Sequence, residues 1–186
     1  MSNTTLANPA PLGLMGFGMT TILLNLHNTG LFAMDVIILA MGIFYGGIAQ
    51  IFAGLLEYKK GNTFGLTAFT SYGSFWLTLV AILLLPKLGL AEAADGHFLG
   101  AYLALWGVFT AFLFLGTLNS PKMLQFIFAS LTLLFALLAI GHLTDNAVLL
   151  RFAGWIGIIC GSSAFYLAMG EVLNEKFGRT VLPIGE

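Results

Sequence analysis

Charge is what this sequence has least of: Asp, Glu, Lys and Arg make up 8% of its 186 residues, against 59% hydrophobic. A soluble domain carries about 25% charged residues, so the balance excludes an ordinary water-exposed fold and points to a chain that lives in lipid. Seven basic and eight acidic side chains leave a formal charge of −1. No basic block can neutralise a run of phosphates, which argues against a nucleic-acid partner. Cysteine is nearly absent as well: the single Cys160 cannot form an intramolecular disulfide or a thiolate metal site, and reads as packing within an apolar stretch. Residues 1–26 contain no Lys or Arg, so the basic start of a secretory signal peptide is missing and the first apolar run is expected to be retained. His27, His97 and His142 lack the paired spacing of a zinc motif, and neither a nucleophile elbow nor a phosphate loop occurs. No metal, no cofactor and no enzymatic activity are expected.

What is present is a series of long apolar runs. A helix needs about 20 residues to cross about 30 Å of hydrocarbon, and five stretches free of Asp, Glu, Lys and Arg follow residue 35: 36–56, 61–85, 98–120, 123–143 and 152–170. The connectors between them, such as "EYKKGN", "PKLGLAEAADGH", "NSPK" and "HLTDNA", carry nearly all the charge and the residues that favour turns. A further run, 12–26, gives only about 22 Å of helix. Asn8 extends it: as a cap before Pro9 at the first helical position, where a missing N–H costs nothing, it makes 9–26 a helix of about 27 Å. The expectation is an all-α integral membrane protein, one six-helix transmembrane domain over 1–186. With both termini cytoplasmic, Lys59, Lys60, Lys122, Lys176 and Arg179 fall inside and Lys87 and Arg151 outside, the orientation favoured by the positive-inside rule.

Along the third span Thr63, Thr67, Thr70, Ser71, Ser74 and Thr78 share an arc of about 100°. Such a stripe either lines an aqueous path or bonds its own backbone and neighbouring helices. Gly42 with Gly46, and Gly157 with Gly161, have the spacing that lets helix backbones touch. In the first span Thr20, Thr21 and Asn25 are polar, with Asn25 expected in solvent at the outer interface. No span carries an Asp or Glu near its middle, so no intramembrane carboxylate relay is visible. Glu57 and Glu171 lie at cytoplasmic ends, where solvation or ion pairing is the expected role.

The run Asn8, Pro9, Ala10, Pro11, Leu12, Gly13, Leu14 resembles the N-P-A-P-L-G-L signature of the acetate uptake transporters, and the likeness extends over nearly the whole chain. A second family element, F-G-G-T-L-N, is matched by Phe114, Leu115, Gly116, Thr117, Leu118 and Asn119, with Leu115 in place of the first glycine. The resemblance implies a bacterial inner-membrane protein of six helices, a homohexamer with one pore per subunit, and uptake of acetate and succinate linked to protons. It also implies an apolar constriction of Phe17, Tyr72 and Leu131. If Tyr72 faces that pore, the hydroxyl stripe opposite it must face other helices, leaving Thr20, Thr21 and Ser71 as the candidates to line the path.

An apolar collar passes a carboxylate badly, because removing water from an unpaired ion costs several kcal/mol or more. Simple carboxyl groups titrate near about pH 4, so the neutral acid is roughly one part in a thousand at pH 7 and grows tenfold per unit of acidification. Passage as the acid, or as the anion with a compensating proton, gives proton linkage. In this reading Tyr72 offers its phenolic O–H to the carboxyl group, Phe17 and Leu131 contact the methyl, and the helix-end amides of Leu12 and Gly13 meet the approaching carboxylate. A channel for a neutral solute such as urea or ammonia also suits a narrow uncharged pore. A membrane sensor or scaffold fits less well, because the loops are too short to present much surface.

Overall fold

A computed structural model describes residues 6–185. Among them there are helices and connectors and no strand. The helices are α1 (Ala10–Asn28), α2 (Val36–Ile43), α3 (Gln50–Lys59), α4 (Thr63–Leu84), α5 (Gly96–Gly116), α6 (Lys122–Leu143) and α7 (Ala147–Phe177), with a π-helical segment, Phe44–Ala49, joining α2 to α3. Those three pieces make one rod, Val36–Lys59, which like α4, α5, α6 and α7 is long and apolar enough to cross a membrane. The chain is a multi-pass membrane protein. Helix α1, at 19 residues, reaches about 28 Å.

The connector polar groups act as helix caps. Asp35 accepts from the Ile37 amide at 2.8 Å, Asn62 from Gly65 at 3.0 Å, Asp95 from Phe98 at 2.8 Å and Asn146 from Leu149 at 3.1 Å, starting α2, α4, α5 and α7. At the start of α1 the register differs by one from the expectation: Pro9 occupies the cap position and Asn8 accepts from the Ala10 amide at 3.3 Å. Helix α7 runs well past residues 152–170 at both ends, because Arg151, Glu171 and Glu175 sit on helical turns outside the apolar run. A criterion of missing charge measures greasy length, not helix length.

Helix α1 lies in a groove of α7. A Cβ on Gly18 would stand 2.7 Å from the Gly161 carbonyl oxygen, and one on Gly161 2.8 Å from that of Gly18, so the two backbones touch and any side chain there would push the helices apart. The Asn25 side chain fills the adjacent space over Gly157 and donates to the Thr21 carbonyl at 2.9 Å. It is buried, not solvated at an interface as its position near the helix end suggested.

The tail folds back under the bundle. The carbonyls of Ile184 and Gly185 accept from Met123 at 3.2 Å and Lys122 at 2.9 Å, supplying the first turn of α6, whose cap residue Pro121 makes no side-chain cap bond. Asn174 holds the returning chain through the amides of Val181 and Leu182.

Candidate functional site

Three helices turn one face each toward a common cavity of about 100 Å³. Ala10, Leu14 and Phe17 come from α1, Gly65, Ala68 and Tyr72 from α4, and Leu124, Ile127, Phe128 and Leu131 from α6, at the three- and four-residue spacing that keeps side chains on one helix face. The N-terminal halves of α1 and α4 both contribute, so these helices run parallel there. Asn62 and Glu171 mark the mouth.

At the deep end Phe17, Tyr72 and Leu131 come together, all buried. The Phe17 and Tyr72 ring centroids are 6.0 Å apart, and Tyr72 also meets Phe128 at 6.2 Å, Phe109 at 5.7 Å and Trp106 at 6.2 Å. These contacts, in the range of favourable aromatic pairing, hold the Tyr72 ring from α1, α5 and α6 at once.

The Tyr72 hydroxyl does not play the expected part. It donates to Thr110 Oγ1 at 2.9 Å, and Thr110 in turn donates to the Trp106 carbonyl at 2.7 Å. A threonine hydroxyl has one proton, so with that proton on Trp106 the Tyr72–Thr110 bond must use the tyrosine's. The phenolic O–H is committed to α5 and is not offered to a carboxyl group in the cavity.

The entrance residues are likewise engaged. The amides of Leu12 and Gly13 both donate to the Pro9 carbonyl, at 3.1 and 3.3 Å, so neither is free for a carboxylate, contrary to the expectation; Pro9 and Pro11 have no N–H to give. Leu12 is exposed away from the cavity and Gly13 packs under the Phe69 ring. Asn8 has a different use: it donates to Glu171 at 2.7 Å and accepts from Lys60 Nζ at 2.9 Å, tying α1, α7 and the connector after α3 together at the mouth.

Of the three candidates to line the path, Thr20 is fully buried beside Gly46, with its hydroxyl 3.5 Å from the Met41 carbonyl. Thr21 lies one turn past Phe17 on the same face of α1, and its buried hydroxyl has no hydrogen-bond partner among the described residues. On α4, the Trp76 indole nitrogen, one turn past Tyr72, is in the same condition. Ser71 is half-buried and is not among the cavity-lining residues. In the stripe, Thr70 and Ser74 donate to the carbonyls four residues back and Thr78 to that of Phe75, with Tyr102 2.8 Å from the Thr78 hydroxyl; none of the three lines the cavity.

Two polar residues lie in or beside the site with roles the sequence did not suggest. Gln50, 1% exposed, lines the cavity, and its Oε1 has no hydrogen-bond partner among the described residues. It directly follows the π-helical segment, whose wider turns shift the phase of the residues beyond it. Glu57, expected to be solvated or ion-paired, is 0% exposed; one carboxylate oxygen accepts from Asn62 at 2.7 Å and the other has no partner among the described residues. A search for polar residues of every kind inside the apolar runs, rather than for charge alone, would have found Gln50 and Thr110.

The sequence matches the GPR1/FUN34/yaaH family over residues 1–184. The succinate-acetate/proton symporter SatP of Escherichia coli (strain K12) is 80% identical, over 100% of this chain and 99% of that protein. The ammonia transport outward protein 2 of Saccharomyces cerevisiae is 38% identical over 91% of this chain and 62% of that protein. Among solved structures, that of the bacterial acetate channel SatP superposes with a TM-score of 0.97 at 80% identity, covering 97% of this chain and 100% of the other. The chain thus belongs to the GPR1/FUN34/yaaH family.

Proposed function

We propose that this protein takes up acetate and succinate across the bacterial inner membrane, linked to protons, and is a transporter rather than an enzyme. Each subunit conducts through its own cavity, and Phe17, Tyr72 and Leu131 form the collar that selects short acids. The observation that carries the reading is the convergence of those three side chains, from three helices, at the deep end of one apolar cavity with a polar mouth. The 80% identity to a succinate-acetate/proton symporter supplies the substrate class.

In this reading α1 joins the five longer helices as a sixth span, its length of about 28 Å matching the hydrocarbon with slight thinning. Both termini are cytoplasmic, so the mouth of Asn8, Lys60, Asn62 and Glu171 opens inward. The apolar outer faces of α5 and α6 meet lipid and other copies of the chain in a homohexamer. Purified protein in liposomes with an acidic outside should accumulate labelled acetate and succinate faster than protein-free vesicles, with proton entry rising in step. Equal rates with and without protein would refute the assignment.

The name of the yeast relative favours a second reading, outward passage of ammonia, through the same uncharged collar. Ammonium should leave labelled acetate uptake unchanged; protein-dependent flux of labelled methylammonium without protein-dependent acetate uptake would select this second reading.

A further inference from the structure

At the level of Phe17, Tyr72 and Leu131 the cavity offers a carboxyl group no hydrogen-bond donor; the Thr21 hydroxyl and the Trp76 indole N–H, unpartnered among the described residues, lie one turn beyond it. The collar's apolar members, Phe17 and Leu131, have none, and the one hydroxyl, on Tyr72, points its proton at Thr110. Thr110 is itself fully buried, and its own proton is fixed on the Trp106 carbonyl. The most the cavity can meet at this level is a lone pair of the Tyr72 oxygen, an acceptor. An anion needs donors to replace lost water, whereas a protonated acid carries its own donor and no net charge.

We propose that Thr110 is a positioning residue that sets the charge state of the permeating species: by accepting the Tyr72 proton it keeps the collar free of donors, so acids cross uncharged. The inference rests on the transport reading above and deepens it. A carboxylate picks up its proton on the acidic side, crosses as the neutral acid and releases the proton on the other side. One proton then accompanies each acetate and two accompany each succinate, in the same direction, with no carboxylate relay inside the bundle. Proton symport and channel-like passage become two descriptions of one event.

The surroundings of Tyr72 supply no other charge. The rings that meet it from α1, α5 and α6 are uncharged, α3 brings the Gln50 amide into the cavity, and α7 presents the Cys160 thiol, itself 3.6 Å from the Ile127 carbonyl. Among the described residues that line the cavity, the one charged side chain is Glu171, at the mouth. The pH dependence therefore follows the acid in solution.

The test is labelled acetate permeation into proteoliposomes, corrected for the bare-lipid rate, with T110V, T110S and Y72F beside the unaltered chain. Between about pH 6 and 8 the unaltered protein should lose roughly tenfold in rate per unit, as the neutral acid does. In T110V the Tyr72 proton is released to the cavity, so anions gain a donor: the slope should flatten to less than about threefold per unit, set against that tenfold fall, and an acetate gradient at neutral pH should drive current. T110S keeps the acceptor and should restore the steep slope. Y72F has no proton to offer and should keep the steep slope whatever its absolute rate. A T110V slope as steep as that of the unaltered protein, a flattened Y72F slope, or acetate current through the unaltered protein would each overturn the inference. Should T110V not fold, Y72F and the current decide it. Failure of the unaltered protein to exceed bare lipid would instead overturn the transport reading itself.

Discussion

The two ends of the cavity handle polarity in opposite ways. At the mouth, polar side chains bond one another in two groups: Asn8 with Glu171 and Lys60, and Asn62 with Glu57 and the Gly65 amide. At the collar, some two turns deeper, a single hydroxyl is turned sideways into α5 and the surface left to the cavity is carbon. The mouth thus carries polar and charged groups, whereas the collar presents carbon; in the reading proposed above, a carboxylate passes such a collar only once its charge is gone. On that proposal, selection by size and selection by protonation act at one level of the bundle.

The contrast can be broken most severely by separating the helices that create it. Gly161→Val places a branched side chain against the Gly18 backbone; overpacking costs about 1–3 kcal/mol where neighbours can shift, and backbone cannot. Folded yield and uptake should both collapse, measured by size-exclusion profile and by labelled acetate. Leu131→Ala, by contrast, should leave the mouth intact and widen the collar. Discrimination of one small apolar increment is worth about 10–200-fold, so the lactate-to-acetate uptake ratio should rise on the order of tenfold, while an unchanged ratio would remove Leu131 from the filter.

Gln50→Leu removes the polar side chain between mouth and collar. If the Gln50 amide, whose Oε1 is unpartnered among the described residues, meets the acid in the cavity, losing one hydrogen bond, about 0.5–1.5 kcal/mol, predicts a fall in apparent acetate affinity of about two- to tenfold with the pH slope of uptake unchanged. Asn62→Ala breaks the cap of α4 together with the bond to Glu57; a lost cap costs about 1 kcal/mol, visible as a lower melting temperature in detergent. Smallest of all is Ser74→Ala, on the exposed side of α4, where the hydroxyl bonds only its own helix. It should alter stability by no more than about 0.5 kcal/mol and leave uptake as it was.

Much of the bundle was legible because lipid imposes simple rules. Apolar length located the long helices, whereas Asp35, Asn62, Asp95 and Asn146 sit in connectors that the sequence marks only as turns, and their capping bonds emerge from the structure. Residue spacing alone already suggested the close helix contacts at Gly161, though it could not identify Gly18 as the partner. The collar residues were a different matter: the family resemblance named Phe17, Tyr72 and Leu131, while helical periodicity showed a hydroxyl stripe on the other side of α4 and left open whether it lined a path or packed. Of those hydroxyls, Thr70, Ser74 and Thr78 bond their own helix, a choice that composition leaves open. Nor could the sequence show where the Tyr72 proton goes, since Thr110 is 38 residues distant and only packing of α4 on α5 brings the two together. The π-helical segment left no signal in an apolar run already rich in glycine, and Glu57 looked like any carboxylate at a helix end until the connector folded over it.

The account stands on the acid's path running through this collar. Leu131→Cys in proteoliposomes, treated with a small uncharged thiol reagent, tests that most directly, because the native Cys160 is fully buried and Leu105→Cys on the exposed face of α5 serves as control. Labelling should abolish acetate uptake by Leu131→Cys and leave that of Leu105→Cys unchanged. Undiminished uptake by fully labelled Leu131→Cys would contradict it.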